Sequence, residues 1–389
     1  MWRGALSGVL SAIALLGANG AGRCAQAPDP RSEEFPALDP YTRAEPAALK
    51  RAGCVSLGPF TWCRDVETSD VERALGEPRV LWLETAHFRL GSTLESYKSG
   101  ADRIEKAKLE AELERLGRRL ARVPKEAARL DPWLRLHLLA QRCEEQYAEF
   151  QARFGLRAED YQRTGAYLGM GSKFSVLLTE RTATLARFLE RVAKQPAAAN
   201  WRGELPGDTL FLGQSAEGLR EHNYELDAAL HCALAADLAV NLVKGTCGYH
   251  ESTPAWFTCG LASWFSRRVD ARWTIYATGT TLLFGDDSWD WAPRVRRIVG
   301  NGLGASWSEM LDWPDWNAID AQGHMLLWSR VDWMLSRKDA DPRALLLGFG
   351  ELGQSHAVQE RVLVRGLGAG SAELDARWRE FVLRGSPRK

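Results

Sequence analysis

The sequence predicts an α+β fold: a small mixed sheet, two central helices and a helical C-terminal part. Three observations lead there. Short apolar runs with strand patterning occur only up to about residue 212, and long leucine-spaced helical stretches lie between and after them. From about residue 270 onward, helical and tryptophan-rich patterning prevails.

In chain order, residues 1–27 read as a signal peptide. Arg3 gives a positive start, residues 5–18 are apolar and small, and Ala25-Gln26-Ala27 offers a cleavage site. The expectation is export to the periplasm, envelope or exterior, with membrane attachment only if this segment stays uncleaved. Residues 28–78 read as a linker and a small cysteine-containing lead-in. Of seven cysteines, six remain after cleavage, an even count that favours disulfides in an oxidising compartment. Cys54 and Cys63 flank the turn-forming Gly58-Pro59 and are expected to be bonded.

Residues 79–90 alternate as one strand, with Val80, Trp82, Ala86 and Phe88 on one face. Leu109, Leu113, Leu116 and Leu120 recur at helical spacing within 101–123. Asp131-Pro132 then opens a second helix to about Phe154, with a capping acid and a first-turn proline. Runs at 174–178 and 209–212 read as strands, with a helix at 183–193 between them. In 225–242, Leu226, Leu230, Leu234, Leu238 and Leu242 recur among alanines, the signature of a helix buried around most of its circumference. A loop with Gly245, Cys247 and Gly248 leads to a helix from Pro254 to about Arg268.

Lys+Arg and Asp+Glu both count 50, so no excess positive charge exists to hold a nucleic-acid backbone. The sixteen tryptophans lie mostly beside leucine and phenylalanine, which assigns them to the core. Trp289 and Trp291 are the candidates for an exposed aromatic surface, in an acidic turn with Asp286, Asp287 and Asp290.

The stretch Pro254-Ala-Trp256-Phe-Thr-Cys259-Gly260-Leu261-Ala262-Ser-Trp-Phe265 resembles the Pro-x-Trp…Glu-Gly-Leu-Ala-x-x-Phe helix of bacterial gluzincin (peptidase-MA-like) domains. The strand at 209–212 and the buried helix stand upstream in that family's order, and Gly366-Leu-Gly…Leu374-Asp-Ala-Arg-Trp378-Arg-Glu-Phe381-Val is similar to its C-terminal helical motif. The likeness covers about residues 80–385 and implies a zincin-type metallopeptidase domain over 79–269, with 270–389 packed on it.

A zincin holds zinc by two histidines four residues apart, with a glutamate after the first. By the resemblance the first ligand position is His231, which is kept. The glutamate position is Cys232, the second ligand position Ala235, and the gluzincin glutamate position Cys259. One imidazole cannot hold catalytic zinc, so the resemblance implies a pseudo-peptidase with no cofactor and a peptide or protein ligand. Asp227, four residues before His231, is the expected partner of its ring. Cys232 and Cys259 are expected to meet across the lost site, bonded or as two buried thiols. The alternatives are an enzyme of thiol or re-ligated metal chemistry, a Cys/His pair using Cys232 or Cys259 with His231 or His250, an active-like hydrolase, and a structural envelope protein.

Overall fold

The computed structural model describes residues 38–76, 79–126, 128–161, 168–221, 225–248, 253–273, 289–352 and 355–385. The signal segment, His250 with Glu251, and Asp286 with Asp287 lie outside the described residues.

A six-stranded mixed sheet anchors the architecture. Its strands in chain order are β1 (Cys54–Ser56), β2 (Leu81–Thr85), β3 (Phe88–Ser92), β4 (Phe174–Thr179), β5 (Asn200–Leu205) and β6 (Thr209–Ser215). They lie side by side as β1-β2-β3-β4-β6-β5. β3, β4 and β6 run parallel, while β1, β2 and β5 pair antiparallel with their neighbours. The α+β class is therefore observed.

The predicted single strand at 79–90 is instead a hairpin, with Leu83 opposite Leu90 and Trp82 opposite Gly91. Ala86 and His87 make its bend without glycine, proline or asparagine, so no turn residue announced it. Both faces are buried: Leu81 and Leu83 face the main core, and Val80 and Trp82 face a second one with Trp62, Phe188 and Phe211.

Five helices position the site. They are α1 (Arg103–Gly117), α2 (Pro132–Phe154), α3 (Asp227–Cys247), α4 (Ala255–Val269) and α5 (Ala321–Ser336). Asp102 caps α1 by accepting from Glu105 N at 2.8 Å, and Asp131 caps α2 through Leu134 N at 3.0 Å. α2 ends where Gly155 takes a left-handed conformation (φ 57°). α3 runs on through Gly245 and Cys247, which the sequence reading had placed in a loop.

By length and composition α3 could cross a membrane, yet it is the central core helix, 83% buried over its most apolar window. It packs along α4, which packs in turn on α5. Leu230, Leu234, Leu238, Trp256, Leu261 and Phe265 are all in the main core. Each such side chain contributes about 1.5–3 kcal/mol by leaving water. Gly260 is needed where α5 crosses α4: a Cβ there would stand 2.7 Å from Val331 Cγ2 and 2.9 Å from Leu327 O.

The lead-in is part of this body, since β1 adds to the main sheet and the described residues from Leu38 on belong to one compact unit. Helices Trp291–Gly300, Trp307–Leu311, Pro342–Leu352, His356–Leu367 and Ser371–Arg384 lie with α5 in the C-terminal part. Trp291 is fully buried, so of the two tryptophans read as surface candidates only Trp289, 41% exposed, is at the surface.

The six described cysteines are all buried free thiols, which corrects the expected Cys54–Cys63 bond. The reason is the sheet itself. Cys54 belongs to the main core, on the face that packs against α2, α3 and α4, and Cys63 to the second core on the opposite face.

Candidate functional site

A cavity of about 200 Å³ opens between β5, α3, α4 and α5. It is lined by Arg202 of β5, Asp237 of α3, Cys259 and Ser263 of α4, Trp316 and His324, among others.

β5 forms one wall and the outer edge of the sheet. Among the described residues it pairs on one side only, with β6. Ser215 N donates to Ala199 O at 2.9 Å, immediately before the strand. Antiparallel ladders alternate hydrogen-bonded and non-bonded pairs, and Asn200 faces Gln214 in this register. Asn200, Arg202 and Glu204 therefore turn their own N–H and C=O groups outward, away from β6.

The Arg202 side chain reaches across to α3. Its Nε lies 3.5 Å from Asp237 Oδ1, and its guanidinium sits 5.6 Å over the Trp316 ring. Trp316 is fixed by donating from Nε1 to Thr258 Oγ1 at 3.2 Å. Burial raises the Asp237 carboxyl above the usual range, and Arg202 opposes that only in part.

Deeper in, Cys259 Sγ lies 3.0 Å from His324 Nδ1. Burial pushes the Cys259 thiol well up and the His324 imidazole down to about 4. Both groups are therefore neutral near pH 7, and thiol and ring share one hydrogen bond.

The residues singled out from sequence do not come together here. His231 turns toward α1 and α2, where its Nδ1 lies 3.3 Å from Glu112 Oε1. Asp227, the expected partner of His231, is instead 2.6 Å from Arg142 Nη2, which also bonds Glu112 Oε2 at 2.6 Å. Buried charges are stable when paired and hydrogen-bonded in this way. Arg142, Glu112 and Asp227 thus tie the start of α3 to α1 and α2. Burial and the Arg142 charge hold the His231 ring below its usual pKa.

Cys232 donates to Ser266 O and Asp270 O, each at 3.5 Å, at the far end of α4. Ser266 is seven residues beyond Cys259, about 10 Å along the helix at 1.5 Å per residue. Cys232 and Cys259 are consequently neither bonded nor in contact, which corrects that expectation. Ala235 lies outside the cavity lining, and its carbonyl accepts from Gln146 Nε2 at 2.8 Å.

Asp237, Arg202 and His324 were missed from sequence. Asp237 alone carried a signal, as a single acid inside the apolar helix after Ala235. Arg202 and His324 had none. Among the described residues, no three of His, Cys, Asp and Glu converge to hold a metal ion. No protein-family model matches this sequence, and no curated protein matches it.

Proposed function

We propose that this chain is an exported, non-catalytic member of the zincin-type peptidase architecture that binds an extended peptide segment along the outer edge of β5. The observation that carries the reading is the outward-facing backbone of Asn200 and Arg202 beside the Asp237–Cys259 cavity. An added strand would gain main-chain hydrogen bonds there, with alternate side chains entering the cavity.

The zincin element of this reading is supported by the order of the strand β6, the buried helix and the following helix. The register along α3 that this reading takes starts at Asp237 rather than at His231. Asp237 lines the cavity, and four residues on stands Asn241, buried with both amide atoms lacking a hydrogen-bond partner. In that register Asp237, Asn241 and Cys259 would stand at the ligand positions, and none is a histidine.

Asn200→Pro tests the groove. It removes one outward N–H and leaves the ladder to β6 intact. Fluorescence-polarisation binding to a pool of N-acetylated Val/Thr octapeptides should weaken at least tenfold against wild type, with Asn200→Ala unaffected. Equal binding by both variants would rule out strand addition at β5.

A second reading, thiol catalysis, is favoured by the Cys259–His324 contact alone. The two pKa displacements oppose it, because a nucleophilic thiolate needs the opposite directions.

A further inference from the structure

Arg202 is placed as a receptor rather than as a structural ion-pair partner. Its five donors meet one carboxylate, Asp237, side-on through Nε at 3.5 Å, longer than a charge-assisted hydrogen bond of about 2.7–2.9 Å. At that distance the Nε contact with Asp237 is at the outer limit of a hydrogen bond. The guanidinium carbon sits 5.6 Å from the Trp316 ring centroid, a cation–π contact that holds the charged head at the cavity wall. Its side chain is 26% exposed, and that of Asp237 25%, so both can be reached from solvent. Ser263 and Asn200 line the same cavity with further donors.

We infer that the cavity is a carboxylate subsite: Arg202 receives an acidic side chain or a C-terminal carboxylate of the segment lying on β5, displacing Asp237. This rests on the peptide-groove reading above and names the ligand chemistry of that groove.

The choice of anion over cation follows from an asymmetry between the two residues. A second carboxylate entering beside Asp237 is accommodated if Asp237 takes up a proton, and burial already pushes its carboxyl in that direction. A cation entering beside Arg202 meets a charge that cannot be discharged. The other titratable lining groups do not interfere. His324 on α5 is neutral above about pH 4, and Cys259 on α4 stays protonated. Asp237 on α3 is therefore the lining group whose burial favours proton uptake, against the constant charge of Arg202 on β5.

The probe is a set of N-acetylated Val/Thr octapeptides with Asp, Asn or Lys at the central position, each with a free or amidated C-terminus. Binding is followed by calorimetry to the mature protein at pH 5.5 and 7.5. The expected result is at least tenfold tighter binding of a carboxylate-bearing peptide, tightening further at pH 5.5. The central-Asp amide and the central-Asn free acid tell the two carboxylate sources apart. Arg202→Gln should erase the discrimination, and Asp237→Asn should tighten binding and flatten its pH dependence. Should Arg202→Gln fail to fold, Asp237→Asn alone decides the matter.

Equal binding of all peptides would overturn the carboxylate inference and leave the groove standing. Preference for Lys, lost in Asp237→Asn, would overturn it in favour of a cation. If no peptide in the set binds at either pH, both the inference and the groove reading fall.

Discussion

Cys259 Sγ and His324 Nδ1, 65 residues apart in the chain, meet at 3.0 Å on the inner wall of the cavity. Thiol and ring are both neutral and nearly inaccessible, so the contact is a hydrogen bond that joins α4 to α5. In the folded protein, iodoacetamide at pH 8 should modify Cys259 at least a hundredfold more slowly than a free cysteine. Rapid stoichiometric labelling, read by peptide mass, would revive the thiol-enzyme reading.

The same ring makes stability depend on pH. His324 is held at about 4 in the folded chain against an ordinary 6.5. The unfolded chain therefore binds the extra proton between those values. Stability attributable to this group is intact above pH 6.5 and is lost as pH falls toward 4, by up to about 3 kcal/mol. His324→Asn should show a flatter fall than wild type in urea melts from pH 7 to 4.5, and parallel curves would contradict the assignment.

Asp227 carries a different load. Asp227→Asn leaves Arg142 with one buried carboxylate, Glu112, where it had two. A loss of about 3–5 kcal/mol is expected in chemical denaturation. A loss below about 1 kcal/mol would mean that water already reaches the network.

Gly260 tests the close crossing of α4 and α5. Gly260→Ala drives a methyl into Val331 and the Leu327 carbonyl, at a cost of about 1–3 kcal/mol in thermal or urea melts. A neutral or stabilising outcome would show that the helices can part.

The proposed zincin register is tested by ligand grafting. Asp237→His with Asn241→His and Cys259→Glu sets two imidazoles one turn apart on α3, the first of them in the cavity wall, and should bind one zinc per chain by metal analysis after dialysis. Ala235→His with Cys232→Glu and Cys259→Glu, built on His231, should bind none, because Cys232 lies at the other end of α4 from Cys259. Zinc in the second variant and not the first would restore the register read from sequence.

How far the sequence alone reaches depends on how local the cause is. Asp131, Pro132 and Gly155 bound α2 almost to the residue, because capping and left-handed backbone are decided within a few positions. The strands at 174–179 and 209–215 were legible as short apolar runs, and α3 as a buried helix. The hairpin at 81–92 was not, since its alternation runs through a bend with no turn-forming residue and both faces are buried.

The side of α3 that looks into the cavity was hidden by the feature that made the helix easy to find. A helix apolar all round carries no stripe to mark its faces. Its orientation is set by partners distant in sequence: Arg142 and Glu112 hold its start, and β5 and α4 line its middle. The tertiary structure alone decided that His231 answers to Glu112, that Cys54 and Cys63 lie on opposite faces of a sheet, and that Arg202, Asp237, Cys259 and His324 share one cavity. Each depends on packing between segments tens of residues apart, where neither periodicity nor spacing carries information.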